Sequence, residues 1–199
     1  MTRYFYYILR MQKLLQEIRA CTVCEKDLPL GPRPIVVASP SSKIAVIGQA
    51  PGTAVHETGI PWDDPSGRRL REWMGITDDV FYDPKNLAII PMGFCYPGKG
   101  KSGDLPPRPE CAPHWHKPLF DSIQEIKLTL LIGQYAQKYY LKDKMKRTLT
   151  ETVRSYEEYL PEFMPLPHPS PRNNIWLKKN EWFESDLVPK LKGIISSVL

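Results

Sequence analysis

Short apolar runs alternate along the chain with segments whose apolar residues recur every three to four positions. The runs at residues 43–48, 87–90 and 128–133 are short and largely aliphatic, and glycine or proline ends each of them, which is typical of buried strands. Shorter strand-like runs occupy residues 35–38 and 163–166. The periodic segments predict amphipathic helices at residues 4–20, 134–140, 149–160 and 175–198.

Strands that alternate with helices predict an α/β fold, with a mainly parallel sheet covered by helices on both faces. In such a sheet the loops after the carboxyl ends of the strands form the ligand crevice. The functional loops are therefore expected at residues 48–64, 91–103, around Gly133 and at 167–174.

The composition fits one ordinary domain. We expect a single domain over residues 1–199, with an N-terminal helix and Cys-x-x-Cys turn at residues 4–30 and a core at 35–198. The net charge of +5 favours contact with a polyanion but does not establish it. Neither a secretion signal nor a membrane span is recognisable, so we expect a cytoplasmic monomer without membrane contact.

The chain has four cysteines, Cys21, Cys24, Cys95 and Cys111. A reducing compartment keeps thiols free, which argues against disulfides. The Cys-x-x-Cys turn suits both zinc and iron sites, whereas the wide separation of Cys95 from Cys111 is less typical of zinc modules. A [4Fe–4S] cluster, a structural zinc ion and four unconnected buried thiols remain as alternatives.

Two loops gather unusual chemistry. Residues 48–52, Gly-Gln-Ala-Pro-Gly, follow the strongest strand and lack the Lys and Ser/Thr of a phosphate-binding loop. Residues 168–174 place an imidazole, a hydroxyl, a guanidinium and two amides on a proline-stiffened loop. A neutral His168 there can donate a hydrogen bond to an oxygen that gains negative charge in a transition state.

The two loops together resemble the signature motifs of the uracil-DNA glycosylase superfamily. The segment Thr58-Gly59-Ile60-Pro61-Trp62 and the order of the four cysteines are similar to the iron–sulfur (family 4) enzymes. The resemblance covers residues 14–190 and implies a three-layer αβα sandwich with a central four-stranded sheet. It also implies that Cys21, Cys24, Cys95 and Cys111 bind a [4Fe–4S] cluster.

The resemblance further implies the roles of the loop residues. His168 would serve the oxygen of the departing base, Trp62 would stack on the base, and core packing is the alternative role for Trp62. The base would be held at Gln49, Ala50 and Gly52. Contacts to the phosphates of duplex or single-stranded DNA are expected from Ser170, Arg172 and Asn173.

Two positions depart from the pattern of the superfamily. The first motif carries Gln49 and Ala50 where relatives carry a water-activating carboxylate, and Glu57, Asp63 or Asp64 are the nearby substitutes. The strand that carries the uracil-reading Asn in relatives reads Ile-Ile-Pro-Met-Gly-Phe-Cys at residues 89–95. Apolar side chains cannot read a base edge by donating and accepting together. The sequence therefore does not predict uracil specificity, and Gly52 leaves room for a larger base.

Three functions compete. The first is a DNA repair glycosylase that flips and excises a damaged or deaminated base by hydrolysing its N-glycosidic bond. The second is a non-catalytic iron–sulfur protein that binds damaged DNA or responds to redox state. A hydrolase of free nucleotides is the third. The retained His168 loop favours the glycosylase with catalytic candidates His168, Gln49, Glu57 and Asp64.

Overall fold

The computed structural model describes residues 3–101 and 103–199, so residues 1, 2 and 102 of the expected domain lie outside the described part. Nine α-helices and six strands are formed within these ranges. The helices are α1 Arg3–Arg19, α2 Thr53–Thr58, α3 Pro65–Met74, α4 Asp78–Tyr82, α5 Cys111–Phe120, α6 Gln134–Leu141, α7 Leu149–Arg154, α8 Asn174–Lys179 and α9 Val188–Val198. The strands are β1 Ile44–Ile47, β2 Leu87–Ile89, β3 Lys99–Gly100, β4 Gly103–Asp104, β5 Leu128–Ile132 and β6 Phe163–Leu166.

The central sheet has four strands in the order β2-β1-β5-β6, and every neighbouring pair is parallel. Each strand is almost entirely apolar because both faces of the sheet are covered. The predicted α/β fold with a parallel four-stranded sheet is confirmed. Strands β3 and β4 form a separate antiparallel hairpin, which the sequence analysis did not predict.

Alternate residues of the strands enter two separate cores. Ile44 and Val46 of β1 pack with side chains of α3, α4 and α7 to α9 on one face. Ala45 and Ile47 pack with α1, α5 and α6 on the other face. Helices therefore cover both sides of the sheet, and the chain forms the expected three layers. Among residues 3–101 and 103–199, no helix is both long and apolar enough to cross a bilayer.

Three predicted elements differ in the structure. Residues 35–38 form only an isolated antiparallel bridge, in which Val37 and Ile89 each donate a backbone N–H to the other's carbonyl oxygen. The predicted helix at 149–160 is split into α7 and a 3-10 turn at Tyr156–Tyr159. The predicted helix at 175–198 is interrupted at Asn180, whose side-chain amide bonds to Trp176 O and competes with helical pairing.

One buried amide ties α6 to the edge of the sheet. Gln137 is fully buried, and its Nε2 donates to Leu131 O at 3.2 Å and to Leu166 O at 2.9 Å. These two carbonyls lie near the ends of β5 and β6, just before the turn at Gly133 and the loop of His168. Gln137 therefore fixes the strand ends from which two of the functional loops depart.

We expect Gln137→Leu to lower the free energy of unfolding by about 1–3 kcal/mol, because two buried carbonyl oxygens each lose one hydrogen bond. Urea denaturation measures the loss. The exposed neighbour Lys138 provides the control, and Lys138→Gln should stay within about 0.5 kcal/mol of the parent. Equal stability of the parent and Gln137→Leu would show that the amide does not hold the strands.

Candidate active site

A pocket of about 630 Å³ opens at the carboxyl edge of the sheet. All four loops that were predicted to form the crevice contribute to it. The residues predicted from the sequence that line this pocket are Gln49, Ala50, Gly52, Trp62, Asp64, His168, Ser170, Arg172 and Asn173. The position of the crevice thus follows the rule for parallel sheets.

Trp62 forms one wall of the pocket and is held by two glycines. A Cβ at Gly48 would lie 2.7 Å from Trp62 Cζ2, and a Cβ at Gly67 would collide with the carbonyl oxygen of Trp62. Trp62 also has a left-handed backbone with φ of 58°, which is costly for a bulky residue. Its ring both packs on the core and lines the pocket, so the two interpretations of Trp62 are compatible.

His168 stands beside Trp62, with ring centroids 5.7 Å apart and planes inclined by 31°. The backbone N–H of Ser170 donates to His168 Nδ1 at 3.2 Å. Because Nδ1 accepts this bond, a neutral ring carries its proton on Nε2. Burial lowers the pKa of His168, while the charge of Asp64 partly opposes this effect. The ring is therefore a neutral donor from Nε2 at pH 7.

The His168 loop is fixed by polar groups on both sides. Arg69 of α3 donates to Pro169 O, to Ser170 O and, at 2.9 Å, to Asn174 Oδ1. Asn173 Nδ2 donates to His168 O at 2.7 Å. The loop thus depends on an arginine from α3, which the sequence analysis did not single out.

Two of the carboxylates among the described residues line the pocket. Asp64 accepts the N–H of Gly67 at 2.7 Å and caps α3. Asp104 lies on β4, and burial together with the charge of Asp64 raises its pKa, against opposing effects of Arg172 and Lys99. Glu57 and Asp63 are exposed and are not among the residues that line the pocket.

The first motif contacts the hairpin of β3 and β4. Gln49 Nε2 donates to Leu105 O at 3.0 Å, and Gln49 O accepts the N–H of Gly93. A Cβ at Gly52 would lie 3.4 Å from Asp104 Oδ2. The guanidinium of Arg172, on the His168 loop, packs against Gly103 of the hairpin. The hairpin therefore closes the pocket between the two signature loops.

The four cysteines border a second, small cavity together with Phe94, Arg108 and Trp115. Cys111 Sγ accepts the N–H of Phe94 at 3.3 Å, and Cys95 accepts a backbone hydrogen bond from Arg33. Within residues 3–101 and 103–199, no group of three or more His, Cys, Asp or Glu residues is arranged to hold a metal ion. The cavity nevertheless brings the four thiols and two N–H donors to sulfur together.

Several lining residues were missed by the sequence analysis, namely Ser66, Asp104, Gln134 and Tyr135. Gln134 and Tyr135 directly follow Gly133, where a functional turn was expected. Asp104 is one residue beyond the end of the loop that was predicted at 91–103. The sequence pattern around Asp104 gives little indication of a strand, because a two-residue strand has no recognisable hydrophobic period.

The parallel αβα sandwich, with a neutral histidine and an indole in its crevice, is typical of α/β enzymes. The family model of the uracil DNA glycosylase superfamily matches residues 35–192, which is most of the chain. The chain belongs to this superfamily. Glycosylases of the superfamily hydrolyse N-glycosidic bonds.

Two solved structures are similar at low identity. One is the solution structure of a candidate uracil DNA glycosylase of Methanosarcina acetivorans, with 17% identity, a TM-score of 0.45, and coverage of 80% of this chain and 94% of that chain. The other is wild-type SMUG2 of Pedobacter heparinus, with 11% identity, a TM-score of 0.39 and 94% coverage of each chain. Both similarities are distant, and neither bears on the activity of this chain.

We expect nitrogen-15 NMR to find His168 neutral at pH 7 with its proton on Nε2. The lowered pKa means that the imidazolium forms only below the ordinary pH range for histidine, because burial disfavours the charged ring. The resonances are assigned by their loss in His168→Ala. An Nδ1–H tautomer, or a charged ring at pH 7, would contradict this assignment.

Proposed function

We propose that this protein is a DNA N-glycosylase that flips a damaged base into the pocket and hydrolyses its bond to deoxyribose. The observation that carries the proposal is the neutral His168 with an Nε2–H donor beside Trp62. When the bond breaks, the base departs with negative charge, and a fixed donor stabilises that charge without reorganisation. A charged histidine on the surface would offer neither the fixed orientation nor the neutral ring of His168.

The walls of the pocket suit an aromatic ring. Trp62 offers an indole for stacking, and Ile89 and Pro91 offer an apolar wall on the side of β2. The superfamily's uracil-reading amide belongs on that side, and no amide is present at residues 89–95. We therefore propose a substrate base other than uracil alone, and Gly52 adds space for a larger or modified ring.

Basic and polar groups at the mouth of the pocket would bind the DNA backbone. Arg172 is exposed on the lining of the pocket, and Ser170 and Asn173 stand on the same turn. Lys99 lies on the hairpin directly across from Asp104. Such contacts position a duplex or a single strand without reading its sequence.

We also propose that the four cysteines bind a [4Fe–4S] cluster. The donor set supports this, because four thiols meet around one cavity and two of them accept backbone N–H groups, as cluster ligands do. The cluster would supply structural support, and Phe94 and Trp115 would shield it from solvent. Zinc is the alternative metal for the same four thiols.

The decisive experiment measures base release from duplex and single-stranded oligonucleotides that contain one uracil, hypoxanthine, xanthine or oxidised base. Abasic sites are scored by alkaline cleavage. We expect at least one base to be released, and we expect His168→Ala to lower the rate by about a hundredfold or more, because the donor to the departing base is lost.

The matched control is His114→Ala, which removes an exposed histidine of α5 outside the pocket. It should retain the parent rate within about twofold, as is usual for surface substitutions. If His168→Ala cleaves as fast as the parent, His168 has a structural role only. If the parent releases none of the bases, the proposed function is wrong.

Anaerobically purified protein should be brown and contain about four iron and four sulfide per chain. Cys111→Ser should lose the colour and part of the iron, because one of the four ligands is replaced. Colourless protein with about one zinc per chain would identify a zinc site instead. Metal-free protein whose melting temperature is unchanged by chelators would leave only buried thiols.

One observation favours the non-catalytic alternative. The first motif offers no carboxylate to activate water, because residues 49 and 50 are Gln and Ala, and the side chain of Gln49 already donates to Leu105 O. A protein of this kind would bind damaged DNA and release no base. The oligonucleotide panel separates the two functions, because binding without release identifies the alternative.

A further inference from the structure

A hydrolytic glycosylase requires a group that faces the sugar as positive charge develops there. The first motif of this chain lacks a carboxylate at Gln49 and Ala50. Among the described residues, the pocket contains two carboxylates, Asp64 and Asp104. The question is therefore which of the two serves the reaction.

Asp64 already has a structural task. Its Oδ1 accepts the N–H of Gly67 and caps the first turn of α3, and this helix carries Arg69, which fixes the His168 loop. Asp104 caps no helix. Its Oδ2 lies 3.4 Å from the position that a Cβ on Gly52 would occupy. The carboxylate of Asp104 therefore stands over the first motif, beside the place where the motif itself lacks one.

The hairpin holds Asp104 in this position by contacts on both sides. Lys99 pairs with Asp104 across the two strands, and Gln49 Nε2 donates to the carbonyl of the next residue, Leu105. Arg172 of the His168 loop packs against Gly103. Two elements that carry site residues, the first motif and the His168 loop, thus converge on the hairpin.

We propose that Asp104 is the catalytic carboxylate of this glycosylase, supplied by the hairpin in place of the one that the first motif lacks. The proposal rests on the proposed function. As the C1′–N bond breaks, its electron pair leaves with the base, whose oxygen accepts a hydrogen bond from His168. The oxygen of a water molecule bonds to C1′, and the proton of that water passes to the Asp104 carboxylate and then to solvent.

The charged groups that face Asp104 are Arg172 from the His168 loop, Lys99 from β3 and Asp64 from the start of α3. Burial is the largest influence and raises the pKa of Asp104, the charge of Asp64 acts in the same direction, and the two cations oppose it. The ionised form is the one that accepts a proton. Activity should therefore fall as the pH drops through this raised pKa.

Binding to two abasic-site analogues tests the proposal without knowledge of the substrate base. A pyrrolidine analogue carries a positive ring nitrogen that mimics the charged sugar, whereas a tetrahydrofuran analogue is neutral. We expect the parent to prefer the pyrrolidine duplex. In Asp104→Asn the ratio of the affinities for the pyrrolidine and tetrahydrofuran duplexes should fall about tenfold, because one close negative charge is removed. The affinity of this variant for the tetrahydrofuran duplex should change by less than about twofold.

Three comparison variants sharpen the test. Asp64→Asn keeps a good helix cap and should retain most of the preference. Asp79→Asn alters an exposed carboxylate of α4 outside the pocket and should match the parent. Asp104→Glu keeps the charge and should retain the preference within about threefold. This variant still tests the role of the charge if Asp104→Asn has a lowered melting temperature.

Turnover on the base that the parent releases fastest gives a second readout. Asp104→Asn should flatten the acid limb of the pH profile of kcat/KM, whereas Asp79→Asn should leave it unchanged. An unaltered acid limb and pyrrolidine preference in Asp104→Asn would overturn the role of Asp104. Loss of the preference in Asp64→Asn alone would also overturn it. The same holds if Asp104→Glu loses the preference as fully as Asp104→Asn does.

The two levels of the argument can fail separately. A parent that releases no base and shows no preference for the pyrrolidine duplex would contradict the glycosylase function itself. A parent that shows both, with Asp104→Asn unchanged, would leave the glycosylase standing and remove only Asp104 from its catalytic machinery.

Discussion

The close approach of Trp62 to Gly48 and Gly67 is the contact on which the pocket depends. It brings together the end of β1, the start of α3 and the ring of His168. Arg71 of α3 adds a hydrogen bond to Trp62 O, and Arg69 of the same helix bonds to the His168 loop. A side chain at Gly48 would displace the indole, and one at Gly67 would displace the backbone of Trp62. The two signature loops would then lose their common support.

The opposite wall of the pocket belongs to the hairpin of β3 and β4, and this hairpin lies between two of the cysteines in the chain. Cys95 precedes β3 and Cys111 begins α5. Anything that the four thiols bind would fix both ends of the segment that carries Asp104 and Leu105. The cavity of the four cysteines and the pocket are therefore connected through one short stretch of chain.

The polar groups of the pocket are unevenly distributed. Under the proposed function, His168 and Asp104 would respond to charge that develops at the base oxygen and at the sugar, whereas Ile89 and Pro91 line the side where relatives read uracil. The proposed chemistry and the recognition of the base would thus depend on different residues of this pocket. A member of the superfamily can keep the donor to the leaving base while its choice of base changes.

The sequence alone determined the four strands of the central sheet, their parallel arrangement and the edge at which the functional loops meet. These features follow from local hydrophobic runs and turn residues, and from the rule that parallel strands end at the same edge. The sequence also indicated His168, which lies on a proline-stiffened loop after a strand, and the resemblance to the superfamily indicated Trp62. It misjudged residues 35–38 and the continuous helix at 175–198, where pairing and an asparagine side chain decided the outcome. Only the tertiary structure showed that Glu57 is exposed outside the lining of the pocket, that Arg69 holds the His168 loop and that Asp104 lies beside Gly52. The direction of a side chain on a short helix or hairpin depends on distant packing, which no local pattern of residues encodes.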